Sequence, residues 1–219
     1  MPKQHHLTLE VVDPDGIAEV LDERTADSRA AFLKKAVAAG GGIALGGILI
    51  GGLPALVGAA PGPQQDQAIL NFALLLEYLE AEFYTQAENG GALDGEALEF
   101  ARVVGEHERQ HVAFLEQALG DAANPKPTFD FMGTTQDQQQ FLQTAIVLED
   151  TGVAAYNGQG ARLTKETLAA AASIVSVEAR HAAWVRDIVG EPPAPNVVDP
   201  LQTMEEITAA VNETGFIQS

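Results

Sequence analysis

The chain has 219 residues, 12 Lys+Arg, 31 Asp+Glu and no cysteine, with a formal net charge of -19. A chain so acidic is a poor match for nucleic acid or an anionic membrane surface. The absence of cysteine excludes disulfide frameworks, thiolate zinc sites, iron–sulfur clusters and thiol nucleophiles. Any metal must therefore be held by carboxylate, imidazole or water.

The first 28 residues are polar and mixed in charge, without helical or strand periodicity. Residues 36–60 carry no charge, and eight of the chain's 21 glycines fall between 40 and 58. That run is long enough to span a bilayer but weakly hydrophobic. Arg29, Lys34 and Lys35 precede it; Val57-Gly58-Ala59 and then Pro61-Gly62-Pro63 close it. A basic stretch, an apolar run and a small-residue exit have the anatomy of an export signal. Residues 28–34, Ser-Arg-Ala-Ala-Phe-Leu-Lys, resemble a twin-arginine signal, with Ala30 where that pattern has its second arginine. A general secretory route and an uncleaved membrane anchor both stay open. The expected division is an export or anchor segment at 1–62 and an acidic domain at 63–219. Residues 61–219 hold 7 basic and 24 acidic residues, a net of -17.

From residue 64 the pattern is helical. Ile69, Phe72, Leu76, Leu79 and Phe83 repeat at three and four, predicting a helix over 64–89 that Gly90-Gly91 ends. A second helix is predicted over 95–119, with Asp94 as N-cap and Gly120 as its stop. A link of about 15 residues leads to a third helix over 136–160, opened by Thr135 with Gln138 in capping-box spacing. The fourth, over 165–189, starts at Thr164 and stops before Gly190-Glu191-Pro192-Pro193. A short fifth is predicted over 202–213, with Thr203 and Glu206 again in capping-box spacing. Short links make antiparallel hairpins of the first and second pairs. The long link reaches roughly 50 Å when extended, enough to cross a 30 Å bundle. The predicted fold is an all-α four-helix bundle of two hairpins joined by a long crossover, plus a short C-terminal helix.

The halves repeat. Glu77 is followed seven residues later by Tyr84, and Glu149 seven later by Tyr156. The second helix carries Glu108-x-x-His111 and the fourth Glu178-x-x-His181. A spacing of three puts each Glu and His on one helix face, and both pairs lie on the apolar stripe. Glu77 and Glu149 also sit among apolar residues. Six ionisable groups are thus expected to converge in the core, where four bare carboxylates would cost many kcal/mol. Two divalent cations would offset that cost. Glu80, three residues after Glu77, is the rival ligand on the first helix; the repeat favours Glu77, because Glu80 corresponds to Gly152. His107 reads as an exposed or capping histidine, with a role behind the ligands as the lesser alternative.

Over residues 64–190 the sequence resembles the ferritin-like superfamily, and specifically exported members labelled desiccation-related. The stretches Leu-Glu-Tyr-Leu-Glu-Ala-Glu-Phe-Tyr at 76–84 and Glu-Arg-Gln-His-Val-Ala-Phe-Leu at 108–115 carry the resemblance. A Glu from each of two helices and a Glu-x-x-His from each of the other two is the known ligand set of di-iron and di-manganese members. By position the resemblance implies Glu77 and Glu149 as single-carboxylate ligands, Glu108 and Glu178 as bridges, and His111 and His181 as terminal imidazoles. Tyr84 and Tyr156 correspond to tyrosines lying behind the ligands or taking part in redox chemistry. The resemblance further implies two Fe or Mn ions, O2 or peroxide as partner, and a ferroxidase, peroxidase or catalase-like role outside the cytoplasm. The competing expectation is a protective or structural envelope protein whose site is degenerate or purely stabilising. A homodimer through an outer bundle face is compatible with either; iron storage in a hollow shell is the weakest reading.

Overall fold

The computed structural model describes residues 61–218. The expected export or anchor segment at 1–62 lies outside these residues except for its last two positions. Five α-helices make the domain: α1 (Pro63–Gly90), α2 (Gly95–Leu119), α3 (Gln138–Gly160), α4 (Lys165–Val189) and α5 (Met204–Thr214). As expected from the short links, α1 packs along α2 and α3 along α4, and the two hairpins then pack on each other. Among the described residues no helix is long and apolar enough to cross a membrane.

Each helix of the bundle buries one apolar stripe interrupted by an acid. One apolar cluster includes Phe83, Phe100, Phe141 and Val185. The other includes Ile69, Leu115, Tyr156 and Ile174. Each of α1–α4 contributes to both, and each carries a core glutamate on its buried stripe: Glu77 in α1, Glu108 in α2, Glu149 in α3 and Glu178 in α4. The first cluster is aromatic and tightly locked. Phe83 stacks on Phe141 with centroids 5.2 Å apart, and meets Phe131 edge-on at 5.3 Å.

The crossover from α2 to α3 is more structured than a plain loop. It contains 3-10 turns at Gly120–Ala122 and Thr134–Gln136 and a two-residue strand β1 (Thr128–Phe129). β1 pairs antiparallel with β2 (Ile217–Gln218) at the end of the chain. This strand pair departs from the all-helical expectation in detail, not in class. The start of α3 also differs. Thr135 does not cap it; it is buried in the 3-10 turn, and the Asp137 side chain accepts from the Gln140 backbone N–H at 2.9 Å. The predicted capping box at Thr203 and Glu206 is present and opens α5.

Residues after α4 return as a strap over α3. Gln202 N–H donates to the Ala154 carbonyl at 3.3 Å. The approach requires Gly158: a Cβ there would lie 1.8 Å from the Gln202 carbonyl oxygen. At the turn that joins α3 to α4, Asp66 of α1 accepts from the Thr164 backbone N–H at 2.9 Å and from Thr167 Oγ1 at 2.5 Å. One backbone donor at the start of α4, the Thr164 N–H, is thus met by a side chain from the other hairpin, while Thr164 makes no cap bond of its own.

Candidate metal centre

The bundle brings all six sequence-predicted ligands together. Glu77, Glu108, Glu149 and Glu178 are at most 1% exposed. Their oxygens and the two imidazoles form two overlapping groups. Glu77, Glu108, His111 and Glu178 make one; Glu108, Glu149, Glu178 and His181 make the other. Glu108 and Glu178 are common to both, the position the resemblance gives to bridging carboxylates. Each group draws on three helices.

The internal distances are those of a ligand shell. His111 Nδ1 lies 3.1 Å from Glu108 Oε2, 3.1 Å from Glu178 Oε1 and 3.3 Å from Glu77 Oε2. His181 Nδ1 lies 3.0 Å from Glu108 Oε1 and 3.2 Å from Glu149 Oε2. Adjacent donors on an octahedral ion with bonds of about 2.1 Å are about 3.0 Å apart. Several of these atoms have no other partner. Glu77 Oε2, Glu108 Oε1, Glu149 Oε2, both Glu178 oxygens and His181 Nδ1 are buried without a hydrogen bond. The two contacts of His181 Nδ1 are short enough for hydrogen bonds but lack the geometry of one. Each unmet buried polar atom costs about 1–3 kcal/mol, and a cation shared among them would remove that penalty. The donor set fits the metal pair that the ligand pattern implies.

The imidazoles act as counter-charges to the surrounding carboxylates. Burial opposes the charged form of His111, but Glu108, Glu178 and Glu77 around it push it up to about 12. His181 is likewise pushed up to about 10 by Glu108 and Glu149 against the effect of burial. The carboxyls diverge. Burial drives Glu77 up to about 8, and raises Glu149 and Glu178 as well. Burial acts on Glu108 too, but the hydrogen bond from His111 and the close approach of the His181 imidazolium overcome it and bring the group to about 2.

The tyrosines cross between the halves. Tyr156 donates to Glu77 Oε1 at 2.5 Å, and Tyr84 donates to Glu149 Oε1. Each tyrosine therefore serves the glutamate of the opposite hairpin, not the one seven residues before it. Burial raises both phenols well above their ordinary range, which keeps them donors.

Two residues differ from expectation or extend it. His107 is not an exposed or capping residue. Its Nδ1 lies 2.8 Å from His181 Nε2, with the rings 19° from parallel. Burial, then the neighbouring His181, lowers its pKa. Glu80 belongs to neither four-residue group but is 3% exposed. It occupies room left by Gly152, where a Cβ would meet Glu178 Oε2 at 3.2 Å and Glu80 Oε1 at 3.5 Å. The nearby acids are otherwise engaged: Glu82 pairs with Lys126 at 2.6 Å, and Asp150 pairs with Arg186.

A cleft of about 380 Å³ between α2 and α4 reaches the histidines from outside. Gln110, Val177, Arg180 and Trp184 line it together with His107, His111 and His181. A larger hollow of about 830 Å³ beside Asn71 and Tyr78 touches none of the six residues.

No curated protein matches the chain closely enough to count as a relative. The sequence profile of the ferritin-like domain matches residues 65–191, more than half of the chain and all but the first two residues of the four-helix region that holds the six residues. With the fold and this match in agreement, the chain belongs to the ferritin-like domain family.

Proposed function

We propose that the domain holds two divalent cations, iron or manganese, and acts as a redox protein toward peroxide, O2 or Fe(II). The observation that carries this reading is the pair of four-residue groups sharing Glu108 and Glu178. On this reading Glu108 and Glu178, common to both groups, would serve both cations, Glu77 and His111 would complete one position, and Glu149 and His181 would complete the other. Hard oxygen donors with one imidazole per ion suit Fe and Mn. Such a pair supplies two electrons without a thiol, in keeping with a chain that has no cysteine.

The protein's own groups set the conditions for that chemistry. Tyr84 and Tyr156 orient the two single glutamates through hydrogen bonds from the opposite hairpin and keep a proton at each phenol oxygen. The apolar clusters on either side exclude water from the carboxylates. The α2–α4 cleft is wide enough for a small molecule and ends at the histidines. Glu80, buried near Glu178 beside Gly152, is an additional acid close to the same carboxylates.

The test is reconstitution. Full-length protein stripped with chelator and exposed to Fe(II) or Mn(II) is expected to retain two ions per chain by elemental analysis and to decompose peroxide. Retention of no metal would refute the metal centre. Retention without turnover would leave a stabilising site and remove the redox role.

We further read the chain as exported. Support comes from the 28–34 pattern and the uncharged, glycine-rich run at 36–60. Fractionation of host cells expressing the full chain, with N-terminal sequencing of the product, tests this. Product confined to the cytoplasm would reject it.

A further inference from the structure

The two halves match at their glutamates and differ at their histidines. The residue before Glu108 is His107; the residue before Glu178 is Val177. Accordingly, His181 is contacted at both ring nitrogens. Its Nδ1 faces Glu108 and Glu149, and its Nε2 faces His107 Nδ1 at 2.8 Å. For His111, among the described residues, only Nδ1 has such partners, and the ring borders the cleft between α2 and α4. The His181 side chain is 4% exposed and that of His111 13%.

This difference bears on ligation. A histidine binds a cation through Nδ1 only when that nitrogen carries a lone pair and the ring proton sits on Nε2. An acceptor facing Nε2 fixes the tautomer and the ring angle together. His107 Nδ1 stands at that position, on the same helix as the bridging Glu108, so one turn of α2 holds both a ligand and the partner of another ligand.

We infer that His107 is a positioning residue: by accepting the Nε2 proton of His181 it makes the cation position bounded by Glu108, Glu149, Glu178 and His181 the tighter of the two. The inference rests on the metal-centre reading above. It specifies that the two positions are unequal and names the residue responsible. Loss of a hydrogen-bond partner of this kind lowers metal affinity about 10–100-fold, and the loss falls on one position only.

The test is calorimetric titration of the chelator-stripped, full-length protein with Mn(II), with bound metal counted by elemental analysis. Wild type is expected to show two steps. His107→Leu weakens the tighter step about 10–100-fold and leaves the other unmoved. His107→Asn, which carries an amide oxygen near the place of Nδ1, retains most of the affinity. Packing alone predicts the reverse order for these two variants. Background substitutions assign the step. With Glu77→Ala the effect of His107→Leu persists, and with Glu149→Ala it disappears. Equal weakening of both steps, no weakening, or an effect that survives Glu149→Ala overturns the inference while leaving the metal centre standing. A wild-type protein that binds no Mn(II) or Fe(II) overturns both. Far-UV circular dichroism checks that each variant is folded; if His107→Leu is not, the comparison of His107→Asn with wild type decides, with a loss of 10-fold or more counting against the inference.

Discussion

The metal-free protein should lose stability as pH rises from 4.5 to 8, against the usual expectation for carboxylate-rich proteins. The cause is the core. Glu77 has its pKa raised by burial from 4.5 to about 8. The folded state therefore holds a proton that the unfolded chain has already released. A group raised in the folded state contributes its full stability below the unfolded value and loses it as pH climbs through the folded value. At about 1.4 kcal/mol per pH unit, Glu77 alone removes on the order of 5 kcal/mol across that window. Above about 6.5, where histidines in the unfolded chain release their protons, His181 and His111 add loss of the same sign, because they keep theirs to about 10 and about 12. Glu108 acts oppositely. Its pKa is lowered to about 2, so its contribution is complete above 4.5 and fades as pH falls toward 2. The metal-free optimum should thus lie near pH 4.5–5.

Urea unfolding followed by far-UV circular dichroism at pH 5, 6.5 and 8, with chelator, measures this directly. Surface repulsion in a chain of net charge -19 slopes the same way, so Glu77→Gln is the control: it should flatten the slope between 4.5 and 6.5 by about one proton. Mn(II) or Fe(II) should invert the trend, because ligands must lose protons to bind and metal affinity rises with pH. Greater stability at pH 8 than at pH 5 in chelator, or a Glu77→Gln slope equal to wild type, would refute the assignment of trapped protons to this core.

Three structural predictions accompany it. Tyr156→Phe removes the donor to buried Glu77 Oε1 and should cost about 1–3 kcal/mol of metal-free stability; Tyr84→Phe should do the same through Glu149, and a cost below 0.5 kcal/mol in urea melts would contradict both bonds. Gly158→Ala places a methyl in the path of the Gln202 backbone, so the strap must move and stability should fall by roughly 1–3 kcal/mol, with hydrogen exchange at Gln202 rising above wild type. Asp66→Ala deprives the start of α4 of its acceptor and should cost about 1–2 kcal/mol; Asp66→Asn, which keeps one acceptor oxygen, should recover part of that loss in the same melts.

What the sequence made legible was whatever depends on one helix at a time. Periodicity at three and four gave the helix bounds, and spacing within Glu108-x-x-His111 and Glu178-x-x-His181 gave the inward faces. Internal repetition separated Glu77 from Glu80, since the partner of Glu80 is Gly152; that same glycine explains why Glu80 is nevertheless buried. What stayed hidden depends on how helices sit against one another. Seven residues span about 10.5 Å of helix axis, too far for Tyr84 to bond Glu77, so it reaches Glu149 on the facing helix. His107 gained its role only through the placement of His181 across the α2–α4 interface. Its spacing of four from His111 was the available signal, but that spacing marks a shared face, not a partner. The β1–β2 pair is two residues long on each strand, too short for any alternation to show. Asp137 prevailed over Thr135 as cap because the turn before α3 draws Thr135 inward.

The division between legible and hidden also bears on assembly. Each hairpin forms from neighbouring sequence and buries much of its stripe by itself. Neither hairpin contains a complete metal group, because each group needs both Glu108 and Glu178, and these reach the site from opposite hairpins. The tyrosine bonds cross the same boundary, as does the link from Asp66 to Thr164. The polar contacts between the hairpins thus include those that build the site, alongside Gln65 to Arg162, Asp94 to Gln138 and Trp184 to Glu96. Without cations, docking gathers four carboxylates in a buried space and leaves protonated imidazoles and trapped carboxyl protons to balance them. With cations, the same docking completes two ligand shells. If the proposed cations are bound, metal binding and hairpin docking form one equilibrium, and chelation should loosen the interface between hairpins before it unwinds any helix.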